Sequence, residues 1–192
     1  MARPREFDET VVIDKAMQQF WSHGYEATSV DDLCAVTGLN RSSLYRAFGS
    51  KRELLDIALT NYEQNSLRRI AQLFEQHPIR DAVRLFLLGL FNDKSGKTNH
   101  WGCLVGNCAG ELAKRDPKAR DRLRLSMYRI EEILRIALTR AQDNGELAAR
   151  IDPQSLAQFL MTQAQGMRLV AKTRPPRGVL ENIVTTTLSV LD

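Results

Sequence analysis

Between positions 33 and 52 the chain carries Arg41, Arg46, Lys51 and Arg52 and no acidic side chain. Guanidinium and ammonium groups set among Ser42, Ser43 and Tyr45 can donate to phosphate oxygens and to base edges, which is recognition chemistry and not catalysis. Arg3 and Arg5 form a second basic point in the N-terminal tail, which reads more readily as a plain disordered tail than as an arm reaching a minor groove. The other unusual stretch is Trp101-Gly102-Cys103-Leu104-Val105-Gly106-Asn107-Cys108. Thiol sensing there would need an accessible sulfur of depressed pKa, with Lys97, His100 or Lys114 supplying positive charge. The plainer alternative is a pair of buried thiols acting as small hydrophobes. On one helix, five residues separate the two by about 7.5 Å of rise and roughly 140°, so they could not bridge each other without unwinding.

Other chemistries fit poorly. His100, Cys103 and Cys108 lack a fourth ligand, so neither a metal nor a cofactor is expected. Gly96-Lys97-Thr98 resembles the end of a phosphate-binding loop, but Phe91 stands where the first glycine is required and no strand precedes it. The histidines are scattered with no nucleophile–base pattern, so the chain reads as no enzyme.

The 192 residues suit one large or two small domains, and 43% hydrophobic with 26% charged is ordinary globular composition. Three cysteines are too few and odd in number for a disulfide scaffold. MARPREFDET has no apolar signal core and no run reaches membrane-span length, so a cytoplasmic protein without a membrane partner is expected. The formal charge of +4 misleads as a total, because residues 1–53 sum to −1 and residues 54–192 to +5. Local placement of charge is the signal.

Helical periodicity runs through the whole chain. Ile13, Ala16, Met17, Phe20 and Trp21 share one face, and Gly24 stops that helix. Ser29 and Asp32 form a capping box for a short helix to Thr37, Gly38 offers a left-handed turn, and Asn40 caps a second helix to Phe48. Ser50 and Glu53 form another box ahead of a long helix reaching Phe74. Pro78 opens a helix to Phe91, residues 93–100 form a polar loop, and residues 101–114 read as a glycine-containing helix. Pro117 and Pro153 open two more. The last segment fits a strand or a helix; a lone strand would lack a partner, which favours helix.

Residues 29–48 are therefore two short helices about a glycine turn, the arrangement of a helix-turn-helix. At about 100° per residue, Leu44, Ala47 and Phe48 make the inner stripe. Ser42, Ser43, Tyr45 and Arg46 fall outside, with Arg41 near the boundary. Lys51 at a helix N-terminus adds a phosphate clamp.

The run GYEATSVDDLCAVTGLNRSSLYRAFGSKRELL, residues 24–55, closely resembles the DNA-binding domain of TetR/AcrR-family transcriptional regulators. That resemblance implies an all-α fold of about nine helices: a three-helix head over residues 1–53 and an effector-binding, dimerising body over residues 54–192. It implies a repressor that binds a pseudo-palindromic DNA operator as a homodimer and lets go when a small-molecule or electrophile effector binds. Carried onto matching positions, Ser29 and Lys51 hold phosphates while Arg41, Ser42, Ser43 and Tyr45 face the groove. Ala47 stands where many relatives carry a phosphate-contacting His.

An effector pocket is expected between the central helices, near Phe86, Leu90, Trp101, Cys103, Asn107, Met127, Met161 and Gln165. By resemblance the last two amphipathic segments, with Leu156, Phe159, Leu160, Ala164, Ile183, Val184 and Leu188, form a four-helix dimer seam. The competing reading is a helical protein-interaction module. Steep salt dependence would separate DNA binding from it.

Overall fold

A computed structural model describes residues 7–91 and 101–192. Among them are nine α-helices, a terminal 3₁₀ turn and no strand. The order is α1 (Glu9–His23), α2 (Val30–Thr37), α3 (Arg41–Phe48), α4 (Lys51–Gln76), α5 (Ile79–Gly89), α6 (Leu104–Leu112), α7 (Pro117–Asp143), α8 (Pro153–Ala171) and α9 (Arg177–Leu188). Arg3, Arg5 and the expected loop with Lys97 and His100 lie outside the described residues.

The starts follow from their caps. Ser29 and Ser50 both make full capping boxes, with Asp32 and Glu53, while Asp8, Asn40, Asp116 and Asp152 each accept a first-turn N–H. The C-terminal segment is helical, and its Val184 and Leu188 are buried.

The helix expected over residues 101–114 is shorter than the pattern suggests. Gly102 sits at φ 75°, in the left-handed region, and Cys103 is the N-cap. The preceding carbonyls serve side chains instead of a helical ladder. Asn107 Nδ2 donates to Trp101 O at 2.7 Å, and Trp21 Nε1 and Arg168 Nη1 donate to Gly102 O at 3.2 and 3.0 Å.

Two apolar clusters organise the chain. One joins α1, α2, α3 and the first half of α4 to Cys103, Leu104, Val105, Cys108 and Leu112 of the α6 region and to Ala119 and Leu123 of α7. The other joins the later parts of α4 and α7 to α5, α8 and α9. Helices of 26 and 27 residues, α4 and α7, span about 40 Å each and run through both. The expected boundary after residue 53 falls inside α4, just before Leu54 and Leu55, which are fully buried with the head.

Candidate nucleic-acid interface

Burial of Leu44 and Phe48 seats α3 against the head, and that fixes which face it presents. Arg41, Ser42, Tyr45 and Arg46 are exposed, whereas Ser43 and Ala47 are half-buried. Gly38, at φ 77°, makes the turn that sets α3 across α2. Asn40 Oδ1 accepts the Ser43 N–H and the Ser42 hydroxyl, both at 2.8 Å, so Ser42 points along the helix start. Ser29, the exposed N-cap of α2, has its Oγ 2.6 Å from Asp32 Oδ2. Lys51 stands at the start of α4 with Nζ 4.3 Å from the centre of the Tyr25 ring, a cation–π contact that aims it.

Two expectations about charge need correction. The stretch from 33 to 52 is free of acid in sequence but not in space. Asp31, on α2, meets Arg41 with Nε–Oδ1 at 2.9 Å and Nη2–Oδ2 at 2.6 Å. The guanidinium beside it, through hydrogen bonds first, holds the Asp31 carboxyl below the usual carboxylate range. The N-termini of α2 and α4 are also partly occupied. Asp32 accepts the Ser29 N–H at 2.8 Å, and Glu53 accepts the Ser50 N–H at 2.7 Å. The helix ends there are therefore not bare, and the amides left free lie further along the first turn beside the Lys51 ammonium.

The head is tied to the body by polar contacts as well as by the shared core. Glu111 Oε2, on α6, accepts the Glu26 N–H between α1 and α2 at 2.9 Å. Arg52 Nη1 donates to Asp116, the N-cap of α7, at 2.6 Å. Trp21 packs edge-on against Tyr62 and Trp101, at 5.0 and 5.6 Å between ring centres.

Spaces in the body are of two kinds. An internal cavity of about 30 Å³ is bounded by Tyr62, Glu63, Ser66, Phe86, Leu90, Ser126, Met161 and Arg168, with Cys103 and Gln165 on one wall. That volume holds no more than about two or three waters. Outside it, a groove of about 390 Å³ passes Cys103, Asn107, Met127, Gln165 and Lys172. Trp101 and Asn107 line a neighbouring cleft beside the end of α1. Cys103, Gln165 and Arg168 thus border both cavity and groove, and every residue expected at a pocket borders one of these spaces.

Sequence reasoning missed Glu63, Ser126, Arg168 and Lys172. Glu63 is only 5% exposed, accepts from the Ser126 hydroxyl at 2.6 Å and pairs with Arg129 at 3.3 Å. A carboxylate between Leu59, Tyr62, Ser66 and Ile70, on the inner face of α4, was the signal available.

The sulfurs differ. Cys103 Sγ receives the Gly106 N–H at 3.4 Å, with Gln165 Nε2 at 3.7 Å and the Tyr62 hydroxyl at 3.9 Å. Burial, with Glu111 nearby, pushes the Cys108 thiol up to about 12. Lys114, expected as a charge donor, is exposed, and cations bordering the groove beside Cys103 are Arg168 and Lys172.

The expected dimer seam is redrawn. Leu156, Leu160, Ala164, Val184 and Leu188 are buried in the protomer's own core, so their side chains are already used. Ile183 is half-buried, and Phe159 is exposed. The other exposed apolar residues of α8 and α9 are Leu169, Val170 and Val179.

Comparison with known proteins agrees along the whole chain. Residues 12–58 match the family described as "Bacterial regulatory proteins, tetR family", and residues 93–185 match "Tetracyclin repressor-like, C-terminal domain". The HTH-type transcriptional repressor ComR of Escherichia coli K12 is 32% identical over 188 residues, covering 97% of this chain and 90% of that protein. The uncharacterized regulator YezE of Bacillus subtilis 168 is 29% identical, with both chains fully covered. Among solved structures, a cysteine mutant of the TetR-family regulator CifR, complexed with 26-base-pair operator DNA, superposes with a TM-score of 0.86 at 28% identity, both chains fully covered.

Proposed function

Since this chain belongs to the TetR family of bacterial regulatory proteins, whose members are DNA-binding transcriptional regulators, we propose that it is a cytoplasmic repressor acting as a homodimer on a pseudo-palindromic operator. The observation that carries the reading is the outward face of α3, where Arg41, Ser42, Tyr45 and Arg46 stand exposed. The structure described for CifR holds 26 base pairs of operator, room for two half-sites about one helical turn apart. Two heads reach successive major grooves only from a two-fold dimer, and Phe159, Leu169, Val170 and Val179 supply exposed apolar surface for it on α8 and α9.

Release is proposed to begin in the body. An effector of ordinary size must open the internal cavity, and Cys103, Gln165 and Arg168 border both it and the outer groove. Widening that border moves α6, whose Glu111 holds the Glu26 amide of the head. An electrophile reacting at Cys103 would act on the same border. If Cys103→Ser and Cys108→Ser variants both release DNA like the parent under a mild electrophile, the thiol route is wrong and a reversible small-molecule effector is left.

Operator binding is tested by fluorescence anisotropy on duplexes selected from the source genome, followed as a function of salt. Lys51→Ala should weaken binding by roughly tenfold and reduce the salt slope by about 0.9 per head, because one phosphate contact is lost. Unchanged affinity and slope would remove Lys51 from the interface. Binding insensitive to salt would favour the protein-interaction module instead.

A further inference from the structure

Arg41 is the first residue of α3 and Asp31 lies in the first turn of α2, on the other side of the Gly38 turn. A guanidinium has two edges able to make paired hydrogen bonds, a side edge of Nε with one terminal nitrogen and an end edge of both terminal nitrogens. Asp31 takes the side edge, with Nε donating to Oδ1 and Nη2 to Oδ2 at 2.9 and 2.6 Å. The end edge has no partner among the described residues. Resting on the operator-binding reading above, we propose that Asp31 is a specificity-determining positioning residue, which presents the end edge of Arg41 to one guanine in each operator half-site.

Base chemistry selects guanine. In the major groove only guanine offers two adjacent acceptors, N7 and O6, to a pair of N–H donors. Adenine sets a donor beside its N7, thymine has one acceptor beside a methyl group, and cytosine presents a donor. The first residues of a recognition helix are those that meet base edges. A phosphate is a poorer target for this guanidinium, because the Asp31 carboxylate has already offset its charge and repels a second anion. Arg46 is the contrast: it is exposed without a carboxylate partner among the described residues, as a phosphate contact requires. The exposed Arg41–Asp31 pair contributes little to stability in the free protein. Its effect is gained in the complex, where water is excluded and the side chain is already held straight.

The experiment is selection from a random duplex library by the full-length protein, followed by competition binding with Asp31→Ala and Arg41→Lys. The parent should select a guanine at one position of each half-site, and replacing it should cost on the order of tenfold or more. Asp31→Ala should move two readouts in opposite directions. Affinity for random duplex rises because a negative charge is gone, while discrimination at that guanine falls several-fold. Arg41→Lys keeps the charge and should lose the same discrimination. Neither substitution touches the Ser29–Asp32 capping box, and unchanged thermal unfolding would show an intact head. Undiminished guanine preference in Asp31→Ala, or in Arg41→Lys, overturns the proposal and leaves operator binding standing. So does an equal loss for all sequences in Arg41→Lys, which is the behaviour of a phosphate contact. If the parent selects no duplex at all, operator binding itself falls and this assignment falls with it.

Discussion

At the scale of single residues, environment separates side chains that the sequence treats alike. Cys103 and Cys108 are both buried, yet among the described residues only Cys103 has donors around its sulfur and a place on the groove wall. Cys108 is held as a neutral thiol by burial, its pKa pushed up to about 12. Because the thiolate is the nucleophile, Cys108 in the folded protein at neutral pH should react with iodoacetamide slower than in urea by roughly a hundredfold or more. Mass spectrometry of time-quenched peptides measures this, and comparable rates in the two conditions would contradict the burial argument. Arg41 teaches the converse. Its type marks it for recognition, but its partner Asp31 lies ten positions away in sequence, and only the turn geometry brings the two together.

At the scale of elements, starts set by a hydroxyl, amide or carboxylate cap were legible, and a start set by distant contacts was not. Ser29, Asn40 and Ser50 cap as their spacing predicts, because a cap is a local bond between residues three apart. The start of α6 was not legible, since Gly102 O is drawn to Trp21 and Arg168 from distant helices. The junction of α3 with α4 depends on Gly49 twice over. Its φ is 76°, and an added Cβ would come within 2.2 Å of Glu53 Oε2, the carboxylate that closes the α4 capping box. Gly49→Ala should therefore destabilise the protein by about 2–3 kcal/mol, combining backbone strain with a displaced cap. A fall in Tm of roughly 4–12 °C is the corresponding outcome for a chain of this size. A shift below about 1 °C would mean that the turn relaxes without cost.

At the scale of the whole molecule, the head shares its apolar core with the body. Its core takes Leu54, Leu55, Ala58, Leu59 and Tyr62 from α4 and five residues from Cys103 to Leu112 of the α6 region. A fragment of residues 1–53 lacks all of these, so circular dichroism should find it largely unfolded, while the full chain unfolds in one transition. A stably helical fragment would mean that these shared contacts are not needed for the head to fold. Alone, the sequence determined the helices, their caps, the inner stripe of α3 and the family resemblance, because these depend on periodicity and on bonds between near neighbours. Tertiary structure decided the rest. It set Asp31 against Arg41, buried Glu63 at the cavity, placed Leu160 and Val184, expected at a dimer seam, in the chain's own core, and joined α6 to the head through Glu111. Those contacts join residues from different helices, and helical spacing says which face a residue lies on but not what that face meets.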